Sequence, residues 1–210
     1  GQVLVIRTLA DLYGISTTPV REALQRLVGE RQLVMLHNRS IAVPEWDPAK
    51  FAELFRIRCA LEGLAAELAA TLLCPRDVEV LEHLLADIAI ALRQKRFDTY
   101  VGLNQKFHFT IYEHACSPRL LEIIQNMWGQ VGSYMNELFS RPGFEAHAND
   151  EHILIVKALK ERNPAAAREH VVADITRAAE FLMPHVTELA AGPASADISR
   201  HGAAIPRDAP

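Results

Sequence analysis

The sequence has few cysteines, and they lack the spacing that makes cysteines structural. Cys59, Cys74 and Cys116 are far apart and include no Cys-x-x-Cys pair. An odd number of cysteines at this spacing argues against a disulfide framework and against a thiolate metal site. We therefore expect all three to be buried thiols.

Long uninterrupted hydrophobic runs are also absent. The longest apolar region, residues 51–73, contains too many charged side chains for a membrane span. These are Glu53, Arg56, Arg58, Glu62 and Glu67. The N-terminus lacks the basic, apolar and small-residue segments of a secretory signal. Because half of the 210 residues are hydrophobic, the chain has ample material for a core, and we expect a globular cytoplasmic protein that does not contact the membrane.

The chain carries little net charge, but its positive and negative residues are unevenly distributed. The formal net charge of −4 gives no support for nucleic-acid binding by the chain as a whole. Residues 1–46 contain five arginines and four acidic residues, a net charge of +1, so the remainder carries −5. A weakly basic head on an acidic body permits DNA binding by the head.

Residues 1–46 follow the order helix, tight turn, helix, hairpin. Residues 7–13 suit a short helix that Gly14 ends, and Thr18 suits the cap of a second helix with Pro19 in its first position. Apolar residues recur at helical spacing in this second helix and leave the charged residues on the other side. They are Val20, Ala23, Leu24 and Leu27. Two short apolar runs, 33–36 and 41–43, predict a β-hairpin and complete the pattern of a winged helix-turn-helix.

The remainder of the chain is predicted to be helical. Pro44 and Pro48 bracket an extended linker, and further breaks divide the following residues into about six helices. The breaks fall at Cys74-Pro75, Arg96-Phe97, Ser117-Pro118, residues 141–143 and Asn163-Pro164. The lengths suit an antiparallel bundle with a hollow or polar centre. Periodicity is lost near the C-terminus, so the predicted domains are 1–46, 47–188 and a disordered tail, 189–210.

The second helix carries the most specific motif in the sequence. Periodicity alone does not separate a recognition helix from an ordinary charged surface helix. Residues 16–24, Ser-Thr-Thr-Pro-Val-Arg-Glu-Ala-Leu, closely resemble the recognition-helix motif of GntR-family regulators, which usually reads Ser-Arg-Thr-Pro-Val-Arg-Glu-Ala-Leu. The resemblance extends to residues 9–15 and to Asn38-Arg39. It implies a mainly α protein in which this helix enters the major groove of DNA.

The resemblance places several side chains at the DNA. Arginine suits a DNA-facing helix because its planar guanidinium group can form two hydrogen bonds to guanine or to a phosphate. The candidate contacts are Thr17, Thr18, Arg21 and Arg26, with Arg39 at the hairpin tip reaching the minor groove. Thr17 stands where the family usually has arginine, and Ser40 where it has glycine. The family's winged domain also begins with a further upstream helix, so we expect an incomplete head with weak or absent specific DNA binding.

Histidine and amide side chains lie on the inward faces of the predicted bundle helices. Asn104 and His108 share an arc with Tyr100, Phe107, Ile111 and Ala115. His152 shares a face with Ala148, Ile155, Val156 and Leu159. His170 lies on the last helix, with Asp174 one turn on as a partner for its ring. Buried imidazoles need hydrogen bonds or a metal, but spacing alone selects no ligand set, since His114 lies near the same arc.

A second resemblance selects the ligand set. Residues 58–62, 104–108, 151–152 and 167–170 resemble the effector domain of the FadR/FCD subgroup of GntR regulators, and the likeness covers most of residues 5–188. It implies that Asn104, His108, His152 and His170 bind a divalent metal, with an organic acid completing the coordination. Zn²⁺ is the first candidate, and Ni²⁺, Mn²⁺ and Fe²⁺ are alternatives. A metal-free polar pocket is the competing interpretation.

Arg58 is the candidate anchor for the effector, because arginine pairs bidentately with carboxylates. The alternative is an ordinary salt bridge to Glu62 one turn later.

These patterns predict a homodimeric transcription regulator that is not an enzyme. Each subunit would bind one half-site of a palindromic operator, and metal and organic acid in the body would change the spacing of the heads. One alternative is a histidine-ligated metalloenzyme acting on a small carboxylate. The sequence contains no His-Glu-x-x-His motif and no assignable general base, which argues against it. A helical interaction module without a small ligand is the other alternative.

Overall fold

A small unit of two helices and a sheet forms the N-terminal head. The computed structural model describes residues 1–139 and 142–192. The elements of the head are, in chain order, β1 (Val3–Leu4), α1 (Ile6–Tyr13), α2 (Thr17–Gly29), β2 (Val34–Met35) and β3 (Ile41–Ala42). The strands are antiparallel and lie in the order β1-β3-β2. The predicted hairpin is thus present, and β1 adds a strand that the sequence analysis did not anticipate.

The turn between α1 and α2 is set by Gly14. This residue has φ +65°, in the left-handed region that glycine adopts without strain, and its N–H donates to the last carbonyls of α1. Helix α2 begins two residues earlier than predicted, with Ser16 rather than Thr18 as its cap. Pro19 is therefore the third residue of the helix and not the first, a position that also needs no intrahelical N–H bond.

One face of α2 builds the small core of the head. Val20 and Leu24 are buried against Ala10 of α1 and Ile41 of β3. Ala23, which the periodicity placed on the same face, is exposed. The opposite side of α2 is left to solvent along its whole length.

Six α-helices form the described part of the body, in agreement with the prediction of about six. They are α3 (Pro48–Ala69), α4 (Pro75–Arg93), α5 (Phe97–Glu113), α6 (Pro118–Glu137), α7 (Asp150–Lys160) and α8 (Pro164–Ala191), with a short 3₁₀ turn at Phe144–Ala146. Four of them begin with proline, whose missing N–H is not needed in the first turn. The side chains of Asp47 and Asn163 accept backbone N–H bonds at the starts of α3 and α8.

The most extensive packing in the body is between α3 and α8. Gly63 of α3 allows this close approach, because a β-carbon at that position would lie 2.9 Å from Val172 Cγ2. Helix α8 also packs on α7, and α5 packs on α3, α4 and α6. The inward faces of α3, α5, α7 and α8 therefore meet in the middle of the bundle.

Helix α6 provides contacts between the body and the head. The Gln32 side chain occupies the space that a β-carbon on Gly129 would fill. One turn and a half further on, Tyr134 packs edge-on against Trp46 of the linker, with ring centroids 5.1 Å apart. The head and its linker thus rest on the same helix.

Two expectations about the chain's surface and ends differ from the structure. Cys74 and Cys116 are exposed and Cys59 is partly exposed, so the prediction of buried thiols was wrong. Helix α8 continues to Ala191, past the predicted boundary at 188, and residues 193–210 of the expected tail lie outside the described residues. None of the described helices is long and apolar enough to cross a membrane.

Substituting Gly63 tests the α3–α8 contact. Gly63→Ala places a methyl group against the stiff Val172 side chain, and we expect the free energy of unfolding to fall by about 1–2 kcal/mol despite the better helix propensity of alanine. Gly102→Ala on α5 is the control, since a β-carbon there meets no atom within 4 Å. It should raise the free energy of unfolding by up to about 1 kcal/mol. Urea denaturation followed by circular dichroism measures both, and equal stabilisation by the two substitutions would contradict the close packing.

Candidate metal centre

Three ligand-type side chains from three helices converge in the centre of the body. Their donor atoms all lie within 4.8 Å of one another and belong to His108 of α5, His152 of α7 and Asp174 of α8. His108 Nε2 is 3.3 Å from Asp174 Oδ2, and His152 Nε2 is 3.5 Å from Asp174 Oδ1. Both imidazoles are buried, at 1% and 0% exposure. These contacts define a compact cluster, the His-His-Asp group.

The helix periodicity predicted from the sequence brings the two histidines inward. The arc of α5 that contains Asn104 and His108 is buried, as is the face of α7 that contains His152. Phe107 packs against the His152 ring at a centroid distance of 4.6 Å, and the two imidazole rings are 5.2 Å apart. Phe107 therefore gives the His-His-Asp group an apolar neighbour on this side.

His152 is oriented so that one ring nitrogen is directed at the group. Its Nδ1 lies 3.0 Å from Asn149 Oδ1, an oxygen that can only accept, so Nδ1 carries the hydrogen. Nε2 is buried and has no hydrogen-bond partner among the described residues. Burial lowers the pKa of His152 to about 4, and the neighbouring His108 adds to this effect while Asp174 opposes it. His152 is therefore neutral at pH 7, with the lone pair of Nε2 facing Asp174.

Asp174 completes a donor set that fits a divalent cation. Burial alone would raise the pKa of Asp174, but His152, His108 and Arg58 outweigh that effect and lower it. The result is an ionised carboxylate beside a neutral imidazole whose lone pair has no donor. Two imidazole nitrogens and one carboxylate oxygen are ligands that suit Zn²⁺ and similar borderline ions.

A small cavity adjoins the group and is lined by two further predicted residues, Asn104 and Arg58. It has a volume of about 20 Å³, and its other walls include His108 and Asp174. Asn104 is 4% exposed and lies one turn before His108 on α5. A space of this size holds about one water molecule. The amide of Asn104 thus faces the same region as the His-His-Asp group.

His170, the fourth predicted ligand, lies outside this group. Its Nδ1 is 3.0 Å from Glu151 Oε2, and Glu151 also accepts a hydrogen bond from Arg177 at 2.8 Å. Asp174, which the sequence suggested only as a partner for His170, takes part in the group instead. The sequence held no signal for this, because both residues adjoin the buried stripe of α8 that contains Val171 and Ile175, and their side chains are similarly exposed, at 26% for His170 and 23% for Asp174. His114, which was not separable by spacing, pairs with Asp77 at 3.3 Å.

Arg58 forms the salt bridge that the sequence left open as an alternative. Its Nε and Nη2 donate to the two oxygens of Glu62 at 2.6 and 3.3 Å, and both residues are buried. The guanidinium also lies over the rings of Phe55 and Trp128, at 4.9 and 5.0 Å. Glu62 accepts two more hydrogen bonds, from Tyr112 Oη at 2.7 Å and from Trp128 Nε1 at 3.0 Å.

The residues predicted to contact DNA are all exposed on the head. Thr17, Thr18 and Arg21 lie in the first turns of α2, where backbone N–H groups are also available to a phosphate. Arg26 pairs with Glu30 at 2.7 Å near the end of the helix. Arg39 has φ +63° in the turn between β2 and β3. The geometry leaves these five side chains accessible to a partner.

Removing Arg58 would leave the Glu62 charge buried without its cation. We expect Arg58→Met to lower the free energy of unfolding by about 3–5 kcal/mol, because an uncompensated buried charge is costly. The control is Arg168→Met, which removes a more exposed ion pair that joins α8 to α3: Arg168 Nη1 to Glu67 Oε2 at 2.7 Å. That loss should stay below about 1 kcal/mol. Urea denaturation measures the free energy of unfolding of both variants. A similar small loss in both would show that Arg58 does not stabilise the fold.

Comparisons with known proteins agree with both halves of this architecture. Residues 1–43 match the model of the family described as bacterial regulatory proteins, gntR family, and residues 53–177 match the FCD domain. The HTH-type transcriptional regulator McbR of Escherichia coli (strain K12) is 33% identical over 178 residues, covering 83% of this chain and 80% of that protein. The uncharacterized HTH-type transcriptional regulator YdhC of Bacillus subtilis (strain 168) is 26% identical over 190 residues, covering 86% and 80%.

A solved structure shows the same fold. The structure of E. coli McbR/YncC superposes with a TM-score of 0.76 at 29% identity, over 90% of this chain and 87% of that one. The matched families and relatives are transcription regulators and not enzymes. The chain belongs to the GntR family of DNA-binding transcription regulators, with a winged helix-turn-helix head and an FCD-type helical body.

Proposed function

We propose that this regulator responds to a small organic acid through a divalent metal bound in its body. The head, residues 1–46, would bind operator DNA, and the body, residues 47–188, would hold the metal. The observation that carries the proposal is the buried Nε2 of His152, which faces Asp174 and His108 without a hydrogen-bond donor. A metal cation satisfies the two lone pairs and the carboxylate at once.

The proposed ligands are His108, His152, Asp174 and the amide oxygen of Asn104. Asp174 here takes the role that the sequence gave to His170, and His170 supports α7 from outside through Glu151. Zn²⁺ is the first candidate from the donor set, with Ni²⁺, Mn²⁺ and Fe²⁺ as alternatives. When bound, the metal would supply open coordination positions for the carboxylate of an organic acid.

Organic-acid binding requires a change in the body, because the described cavity has room for about one water molecule. Its apolar walls include Met135, Leu138 and Phe144, and these side chains must move to admit an acid. Arg58 lines the same cavity, with its charge paired to Glu62. An acid that binds only the widened arrangement shifts the population toward it.

Helix α6 is the proposed route from the cavity to the head. Met135 lines the cavity on one side of α6, while Tyr134 contacts Trp46 of the linker on another. Gly129 of the same helix is in close contact with Gln32 of the head. A displacement of α6 that widens the cavity would therefore change how the head rests on the body, which is how metal and acid would modulate operator binding.

We propose that the functional unit is a homodimer on a palindromic operator, one half-site per subunit. An apolar stripe on the outer side of α3 supports a second copy as the partner. Its residues recur at the spacing i, i+4, i+7 and i+11, and three of them are more than a third exposed. They are Ile57, Leu61, Leu64 and Leu68. Because the operator lies on the chromosome, the proposed site of action is the cytoplasm.

Metal analysis tests the body. The chelator-treated protein is expected to bind one Zn²⁺ per chain and to melt at a higher temperature, since a ligand present at about 100 times its Kd adds about 2.7 kcal/mol to stability. His152→Ala should abolish this shift, and His114→Ala, just past the end of α5 and paired with Asp77, should keep it. His170→Ala should retain one Zn²⁺ per chain. A panel of organic acids added to the Zn²⁺-loaded protein should give a further shift, whereas no metal and no shift would favour a plain interaction module.

Operator binding tests the head. Arg21→Ala should weaken binding to a palindromic duplex selected from randomised DNA by about tenfold to a hundredfold, the effect of losing one arginine contact to a base. If Arg21 contacts a phosphate instead, the slope of log affinity against log salt concentration should become shallower by about one. Arg119→Ala, which removes the same charge from the exposed start of α6, is the control. Fluorescence anisotropy at several salt concentrations measures both, and equal affinities would contradict a role for α2 in DNA contact.

A further inference from the structure

The hydroxyl of Tyr112 lies between the His-His-Asp group and the buried carboxylate of Glu62. Its oxygen is 2.7 Å from Glu62 Oε2 and 3.1 Å from His108 Nδ1. All three residues are buried, at 1% exposure or less. Tyr112 lies one turn after His108 on α5, so the helix itself sets this contact.

The hydrogen of that hydroxyl is committed to Glu62. A carboxylate can only accept hydrogen bonds, and Tyr112 has a single O–H to give. Arg58 forms an ion pair with Glu62, and the Trp128 N–H donates to the same Glu62 oxygen that accepts from Tyr112. The Tyr112 oxygen is then left to accept from His108, so Nδ1 is the nitrogen that carries a hydrogen in this contact.

This arrangement directs the other nitrogen of His108 at the site. In the neutral ring that would bind a metal, a hydrogen on Nδ1 leaves the lone pair on Nε2, and it is Nε2 that lies 3.3 Å from Asp174 Oδ2. His152 reaches the same state through a different residue, Asn149 on its own helix. Each imidazole therefore has an outer partner of its own, and only that of His108 belongs to a chain of hydrogen bonds leading to α3.

We infer that Tyr112, held by Glu62, is a positioning residue that fixes the tautomer and orientation of His108 for metal binding. The inference rests on the proposed metal site. Tyr112 touches no metal in this role and acts only through His108. Loss of such an outer partner typically weakens metal affinity by about tenfold to a hundredfold.

The test combines a tautomer measurement on the metal-free protein with a Zn²⁺ titration. Long-range ¹H–¹⁵N NMR of the histidine side chains, recorded at a pH where free imidazole is neutral, should show hydrogen on Nδ1 for both His108 and His152. In Tyr112→Phe, the hydrogen of His108 should move to Nε2, where Asp174 accepts it, while His152 stays unchanged as an internal reference. Competition with a chromogenic chelator should show Zn²⁺ affinity reduced by about tenfold to a hundredfold.

Two further variants keep the outcome interpretable. Tyr134→Phe, which removes a partly buried hydroxyl on α6, should leave tautomers and affinity as in the unsubstituted protein. Glu62→Gln, whose amide can donate to the Tyr112 oxygen, should reproduce the change at His108. Unchanged tautomer and affinity in Tyr112→Phe, with Zn²⁺ bound by the unsubstituted protein, would overturn the positioning role alone. Absence of Zn²⁺ binding by the unsubstituted protein would overturn the proposed metal site and this role with it.

Discussion

The buried carboxylate of Glu62 is the constraint around which the body is organised. A charge in an apolar interior is tolerated only when its partners satisfy it fully. Those partners come from three helices: Arg58 on α3, Tyr112 on α5 and Trp128 on α6. The relative placement of these helices is therefore fixed by directional bonds as well as by shape. The His-His-Asp group lies directly beside this network and shares Tyr112 with it.

The packing of α3 on α8 positions Asp174, the third member of the His-His-Asp group. Close approach at Gly63 brings α8 near enough for Asp174 to reach the histidines on α5 and α7. A second polar network then holds α7 to α8, since the buried Glu151 accepts a hydrogen bond from Arg177 and pairs with His170. Polar residues thus serve two purposes in this bundle. Those in the centre present donor atoms to the site, and those at the edge hold the helices that carry them.

Much of the fold follows from local sequence signals. The prolines that begin α3, α4, α6 and α8 have a strong local effect, and all four mark helix starts. The inward arcs of Asn104, His108 and His152 follow from helical periodicity, which burial in a bundle enforces. The cap of α2 at Ser16 and the strand β1 were missed. Strand β1 depends on its pairing with β3, which is distant in the chain, and its two residues alone give no strand signal.

The choice between His170 and Asp174 shows why periodicity cannot complete a site. The two residues lie one turn apart on α8, about 40° apart around the helix axis. A small rotation of the helix decides which of them faces inward, and that rotation is set by packing against α3 and α7. The exposed cysteines have a similar origin, because Cys74 and Cys116 lie in connections between helices and not on their apolar faces.

The two tryptophans of the chain lie at opposite ends of the proposed signal path. Trp128 donates to Glu62 and is 5.6 Å from the His108 ring, whereas Trp46 packs on Tyr134 where the linker meets the body. Their surroundings differ, since Trp128 is buried beside a cation and an imidazole while Trp46 is partly open to solvent. The protein consequently contains two tryptophan fluorophores, one at the site and one at the junction with the head. Single-tryptophan versions would let the order of events at the two places be followed in time without any added label.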